Sequence, residues 1–322
     1  MKKISIATSC YNEAGNIEAF YNEIIKQTDN YDNYEWEFII ADNCSTDNTA
    51  EILRLLAEKD KRVKVIFNQS NYGPVRSGAN AFFSATGDAV ISIASDLEDP
   101  PDMIPKFINA WEKGDKVIMG KYITRNGNPI MNICRKLYYK MVAIFSEVKV
   151  EENVTGFGLY DKSVVNVIKS LNEYILILRF LCPELGYAVM YIPFNKPKRK
   201  SGKSSYSLLK YYNFALETLV LTSHVPLHLA STVGFIMSIG SIVVAIYYLI
   251  QKLIHWYTFD FGFAPIMIGL FFIGGVQLLF IVIIGEYLSS AIKRVTKRPL
   301  VIEKERLNFD INDNSDIISK DE

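Results

Sequence analysis

Two stretches of this chain, residues 218–251 and 261–285, contain no Asp, Glu, Lys or Arg, and they constrain its fold more than any other feature. Each exceeds the roughly 20 apolar residues that cross a bilayer. A soluble core seldom supplies two such runs in succession. Gly234, Gly240, Gly269, Gly274 and Gly275 suit close helix contact in lipid. The pattern predicts a C-terminal hairpin of transmembrane helices, 229–251 and 262–288, with Trp256, Tyr257 and Phe259 at the interface of its short connector. Basic residues between Lys196 and Lys203 precede the first span, and Lys293, Arg294, Lys297 and Arg298 follow the second. The positive-inside rule then puts the large N-terminal part in the cytoplasm, anchored to the cytoplasmic (inner) membrane by two spans.

The N-terminal part alternates between two periods. Strands are expected over 4–9, 37–41, 63–67, 89–94 and 116–119, with helices over 16–27, 49–59, 75–84 and 103–111. Such alternation implies an α/β domain with a doubly wound, mainly parallel sheet. A further strand is expected over 187–193. Residues 130–147 and 204–222 mix aromatic and basic residues at helical spacing and read as amphipathic helices on the membrane surface. The domain boundaries are therefore 1–203 for the α/β domain, 204–222 for a juxtamembrane helix, the two spans, and 293–322 for a basic segment with a mobile acidic tail. The 35 basic and 35 acidic residues balance, so nothing draws the whole chain to nucleic acid. Cys10, Cys44, Cys134 and Cys182 are scattered, without the close spacing of a zinc or redox motif.

The chemistry-bearing residues gather where strands end. The first strand runs out into Ser9-Cys10-Tyr11-Asn12-Glu13 and the second into Asp42-Asn43-Cys44-Ser45-Thr46-Asp47, where Ser45 or Thr46 is placed to cap the next helix. Asn71-Tyr72-Gly73-Pro74-Val75-Arg76 is a turn into a helix whose N-terminus suits phosphate. The fourth strand leads into Ser95-Asp96-Leu97-Glu98-Asp99-Pro100-Pro101. Carboxylates at the carboxyl ends of parallel strands lie where open α/β sheets bind ligands. One or two carboxylates together with substrate phosphates is the usual way to hold Mg²⁺. The acidic loop thus points to metal-assisted chemistry on a phosphorylated substrate, against the plainer reading of a solvated turn.

Taken as a set, these motifs resemble family 2 glycosyltransferases with the GT-A fold, a Rossmann-like architecture. They are most similar to the dolichyl-phosphate mannosyltransferase type and its bacterial relatives that load a sugar onto undecaprenyl phosphate. Thr155-Gly156-Phe157-Gly158-Leu159-Tyr160-Asp161, Arg179 before Leu185-Gly186-Tyr187, and Arg199-Lys200-Ser201-Gly202-Lys203-Ser204 extend the likeness, as does the two-span anchor. The resemblance implies inverting transfer of one sugar from a nucleotide sugar, a UDP-sugar, to undecaprenyl phosphate, giving a lipid-linked monosaccharide for cell-surface glycan modification. It implies Mg²⁺ or Mn²⁺ on Asp96 and Glu98, with Arg199 completing the catalytic set. Ser9, Tyr11, Glu13, Asp42, Asn43, Asn71, Gly73, Arg76 and Ser95 fall at donor-binding positions. Arg179, Arg199, Lys203 and Ser204 fall at positions for the acceptor phosphate. Membrane lipids are the remaining partners, and the Gly-rich spans fit a homo-oligomer.

The chain departs from the family pattern at five places. Ala94 and Asn43 stand where an Asp is common, Glu98 where a Gln is usual, Gly156 where some relatives carry an acidic candidate base, and Ser205 where a Lys is usual. A phosphate acceptor with a second pKa of about 6 is already ionised near neutrality, so a protein base is not required. Two other readings follow from the same residues. One is a degenerate membrane-anchored protein that binds nucleotide sugar or lipid phosphate without catalysis. The other is a polysaccharide synthase, disfavoured by having only two spans and no Gln-x-x-Arg-Trp segment.

Overall fold

A computed structural model describes residues 1–123, 151–171, 176–195, 197, 225–254, 263–295 and 299–309. The chain divides into two compact units: Met1–Ile133, Val148–Ser205 and Lys297–Glu322 in one, and Cys134–Glu147 with Tyr206–Thr296 in the other.

The first unit is built on an eight-stranded sheet. Strands β1 (Lys2–Cys10), β2 (Tyr34–Asp42) and β3 (Val63–Asn68) are parallel and linked by helices α1 (Ile17–Thr28) and α2 (Thr49–Lys59). After α3 (Pro74–Phe83) the chain crosses to the other side of β1 and forms β4 (Ala89–Ser92), also parallel. The order therefore reverses between β1 and β4, which opens the ligand crevice of a doubly wound sheet at their carboxyl ends. Beyond α4 (Ile104–Glu112) come β5 (Val117–Tyr122), β6 (Val154–Asp161), α5 (Lys162–Ser170), α6 (Leu178–Glu184) and β7 (Val189–Phe194). With the last strand, β8 (Glu303–Leu307), the order is β7-β5-β6-β4-β1-β2-β3-β8. Among the described residues, only β6 and β8 pair antiparallel to their neighbours.

Alternation along the strands sorts the core into two layers. Ile4, Ile6, Phe38, Ile40 and Val65 face Ile17, Phe20, Leu53 and Phe107. Ala7, Ile39, Ile66 and Val90 face Phe82, Val164 and Ile168. Strands buried on both faces read as runs rich in apolar residues, which is why β1 to β5 were legible.

β6 was not legible. Its segment carries two glycines, and its register against β5 slips between Met119 and Lys121, so Thr155, Gly156 and Phe157 stand opposite Gly120. Gly156 has φ +97°, which an acidic residue adopts only with strain. The missing candidate base at this position therefore has a backbone explanation. At Gly158 a Cβ would lie 2.0 Å from the Ile118 carbonyl oxygen. Gly158→Ala is expected to lower stability by about 3 kcal/mol through displacement of β5 from β6. Thermal unfolding in detergent measures it, and an unchanged midpoint would contradict this packing.

The acidic tail expected to be mobile is corrected over part of its length. Glu303–Leu307 forms β8 at the sheet edge. Glu305 takes a two-pronged ion pair from Arg54 at 2.8 and 2.5 Å, and Glu303 accepts from Arg306 and from Asn80 Nδ2 at 2.6 Å. Asn308 Nδ2 donates to the carbonyls of Ala57 and Val63 at 2.7 and 2.8 Å. These carboxylates read as solvated charge because Arg54 and Asn80, which tie them to the rest of the unit, lie more than two hundred residues away in the chain.

In the second unit, α7 (Val225–Ile254) and α8 (Phe263–Val295) are continuous helices over most of the two uncharged stretches. Gly234 admits the Phe280 ring, which a Cβ there would meet at 3.2 Å. Phe235, Ile236 and Val243 on α7, and Phe272, Leu278 and Val282 on α8, are exposed. Among the described residues, Phe272–Ser289 is long and apolar enough to cross a membrane by length and composition. The interface helices expected over 130–147 and 204–222 lie outside the described residues.

Candidate active site

The carboxyl ends of β1 to β4 come together. The loops after β1 and β2 are stitched by side chains. Asn12, with φ +55°, accepts from the Thr46 N–H at 2.8 Å and gives its own N–H to Ser45 Oγ at 2.9 Å. The Glu13 N–H donates to Thr49 Oγ1 at 2.9 Å, and the Ala14 N–H to Asp47 at 3.2 Å. Ser45 and Thr46 thus bind across to the β1 loop and do not cap α2, whose N-cap residue is Asn48. Burial raises the Asp47 carboxyl, but the hydroxyl and N–H of Thr49 outweigh it and hold its pKa below the usual value. Glu13 is buried and accepts from Asn16 Nδ2 at 2.5 Å. Tyr11 and Ser9 stand at the same strand end, with Ser9 Oγ donating to the Pro74 carbonyl at 3.4 Å.

Asp42, at the end of β2, is 2 % exposed. Burial raises its pKa despite hydrogen bonds from Ser45. Cys10 beside it is buried, and burial with the Asp42 charge pushes its thiol well above the ordinary range. A thiol so placed stays protonated and is no nucleophile. Asn43 and Asn71 bond to each other at 2.9 Å, which fixes the turn into Gly73, where φ is +83°.

The acidic loop after β4 is a closed structure. Asp99 is buried and accepts from the Ala94 N–H at 3.0 Å. Asp96 Oδ1 accepts from the Glu98 N–H at 3.1 Å, and Ser95 Oγ donates to the Ser9 carbonyl at 3.1 Å. Leu97, with φ +60°, turns a buried side chain inward. The loop is therefore not a solvated turn. The motifs alone did not single out Asp99 or Asn12, whose side chains bond within the protein. An Asx-turn spacing from Asp96 to Glu98 was the only local signal for this shape.

Two expected site residues also make contacts within the protein. Arg76 Nη2 donates to the Pro299 carbonyl at 3.0 Å, and its guanidinium lies 4.9 Å from the Tyr72 ring centre. Arg179, on α6, donates to the Val154 carbonyl at 3.1 Å, and its Nε is buried with no hydrogen-bond partner among the described residues. Arg199, Lys203 and Ser204 lie outside the described residues.

A family model for glycosyl transferase family 2 matches residues 5–168, just over half of the chain. The chain belongs to glycosyl transferase family 2. This glycosyltransferase is 30 % identical to an uncharacterized glycosyltransferase of Synechocystis sp., over 93 % of this chain and 94 % of the relative. It is 27 % identical to a prophage bactoprenol glucosyl transferase homolog of Escherichia coli, over 94 % of this chain and 98 % of that one. It is 28 % identical to the bactoprenol glucosyl transferase of Shigella phage SfX, over 94 % and 99 %. A glucosyl-3-phosphoglycerate synthase from Mycobacterium tuberculosis, crystallised with Mn²⁺, UDP and phosphoglyceric acid, aligns with a TM-score of 0.47 at 18 % identity, over 68 % of this chain and 76 % of that one.

Proposed function

We propose that this family 2 glycosyltransferase moves one sugar from a UDP-sugar to undecaprenyl phosphate at the cytoplasmic face of the membrane, with inversion. One observation carries the reading. The likeness to the bactoprenol glucosyl transferases spans 94 % of the chain and so runs on through α7 and α8, beyond the family model's residues 5–168. Bactoprenol is undecaprenol, the alcohol of that phosphate. The two-span hairpin draws support from connectivity. The chain leaves the first unit before α7 and rejoins its sheet at β8 after α8, so an even number of crossings is needed.

The donor set fits Mg²⁺ or Mn²⁺ that arrives with a diphosphate. Asp96 and Glu98 supply two carboxylates from one ordered loop, and no cluster of three ligating side chains exists among the described residues. A hard cation with few protein ligands completes its shell from phosphate oxygens and water. When bound, the ion supplies charge to neutralise the departing nucleoside diphosphate. Asp42 is proposed to accept hydrogen bonds from the nucleoside. The loops of Ser9, Tyr11, Glu13, Asn71 and Gly73 wall the donor, and Ser95 ties the acidic loop to β1.

The acceptor phosphate oxygen attacks the anomeric carbon from the face opposite the diphosphate. The bond to the diphosphate oxygen breaks, and the anomeric configuration inverts. The nucleophile is an anion already, so no proton need leave in the transition state, and a glycine at position 156 is compatible with turnover. Arg199, Lys203 and Ser204 are proposed to hold the acceptor phosphate, with Arg179 as a further cation. Work by the protein is then mainly orientation and charge stabilisation.

The test is mass spectrometry of lipid extracts after incubating membranes that contain the full chain with undecaprenyl phosphate and a panel of UDP-sugars. A polyprenyl phosphate bearing one sugar is expected. A ladder of sugars would indicate a polymer synthase, and no product with any donor would indicate a protein that only binds.

A further inference from the structure

Asn43 departs from the family pattern, and its surroundings explain what an amide does there that a carboxylate does not. Asn43 is 2 % exposed, and its own N–H is fixed to the Cys10 carbonyl at 2.9 Å. Its Oδ1 accepts from the Tyr72 N–H at 2.9 Å and from Asn68 Nδ2 at 3.4 Å. Its Nδ2 donates to Asn71 Oδ1 at 2.9 Å. Asn71 Oδ1 also accepts from the Gly73 N–H at 3.0 Å. Asn68, 2 % exposed, bonds through Nδ2 to Ser77 Oγ at 3.0 Å, which ties the network to α3.

The two amides have fixed orientations, because each is read by a backbone N–H. The Tyr72 N–H requires an oxygen on Asn43, and the Gly73 N–H requires an oxygen on Asn71. The remaining bond between the two side chains then needs its proton from Asn43. Resting on the donor-site reading above, we infer that Asn43 is a positioning residue. Its side chain is a one-way amide lock that sets the Asn71–Tyr72–Gly73 turn in the shape that receives the nucleoside diphosphate.

The lock is asymmetric in a way that chemistry can probe. With Asp at 43, a carboxylate oxygen faces Asn71 Oδ1, acceptor against acceptor. Turning the Asn71 amide over repairs that contact but sets its NH₂ against the Gly73 N–H. One bond is lost either way. With Asp at 71, both existing bonds survive, since Asn71 acts in them only as an acceptor. A general effect of added negative charge or lost stability would not distinguish the two neighbouring positions.

The experiment uses the full-length chain in detergent. Hydrogen exchange of the peptide spanning residues 71–73 is measured for wild type, Asn43→Asp and Asn71→Asp, and UDP binding with Mn²⁺ for wild type and Asn43→Asp. Asn43→Asp is expected to speed exchange in the turn and weaken UDP about tenfold, the equivalent of one buried hydrogen bond, with the kinetic loss in donor KM more than in kcat. Asn71→Asp is expected to keep the turn protected. Equal exchange behaviour of the two variants overturns the lock, and unchanged UDP affinity in an unprotected Asn43→Asp turn overturns its role in the donor site. Wild type that fails to bind UDP overturns the donor reading instead, a result the exchange measurement separates from the lock.

Discussion

Asp96→Asn is expected to lower sugar transfer by about 10²- to 10³-fold while leaving the unfolding midpoint unchanged. The reason lies in what the substitution keeps. Asp96 Oδ1 accepts the Glu98 N–H, and an asparagine oxygen accepts it equally well, so the turn survives. The loop has further anchors in the Asp99 bond to Ala94, the Ser95 bond to the Ser9 carbonyl, and the buried Leu97 side chain. The charge is lost. With Ala94 in place of the carboxylate that the family resemblance leads one to expect, Asp96 and Glu98 are the two acids this loop offers a cation, and halving that charge at the leaving group has a large effect. Steady-state rates over a Mn²⁺ titration check it. Asp96→Asn with wild-type rate and metal dependence would move the proposed cation off this loop.

Glu37→Gln is expected to destabilise the first unit by about 3 kcal/mol at neutral pH. Glu37 lies within β2 and is 2 % exposed. Burial alone would raise its carboxyl. The Ser5 hydroxyl at 2.5 Å, the Thr86 N–H at 2.6 Å, and Lys64 and Lys3 at 3.1 and 3.2 Å overcome that and bring its pKa to about 2. The cluster joins β1, β2, β3 and the connection into β4. A folded pKa near 2 against an unfolded value of 4.5 is worth about 3 kcal/mol, at roughly 1.4 kcal/mol per unit. The folded pKa is the lower one, so the contribution is complete above 4.5 and fades as pH falls from there toward about 2. Denaturant unfolding of wild type and Glu37→Gln across this window should show the two stabilities converging at the acid end. A constant gap would show that packing, not ionisation, makes the difference.

Most of the sheet was legible because its strands obey a local rule. A parallel strand buried on both faces is a short stretch rich in apolar residues, and 4–9, 63–67 and 89–94 are such stretches. Helix α2 was expected over 49–59 and is found there for a similar reason: one apolar stripe with charge on the other face. The strands that escaped break the rule. β6 holds two glycines and a register slip, and β8 is acidic and at an edge, so neither has an apolar period to read.

The site divides in the same way. Its acids and asparagines were visible as residue types at strand ends, and Asp42, Asn43, Asn71, Gly73, Asp96 and Glu98 do come to the carboxyl ends of adjacent strands. Their duties were not visible, because a polar side chain shows no preference in sequence for a ligand over a neighbouring loop. Arg76 was expected at a donor-binding position. Its guanidinium also donates to the Pro299 carbonyl, 223 residues away.

What the sequence determined by itself, then, was composition along the line: two uncharged stretches that become long helices, and an alternation that becomes a doubly wound α/β unit. Periodicity is a property of near neighbours, so it survives without knowledge of the fold. The tertiary structure alone decided which hydrogen bonds each polar group spends inside the protein. Asn43 holds a turn, Asp99 closes the acidic loop, Glu37 binds three strands, and the tail becomes an edge strand. Those assignments depend on partners distant in the chain, and hydrogen bonds are satisfied by distance and angle, not by order in sequence.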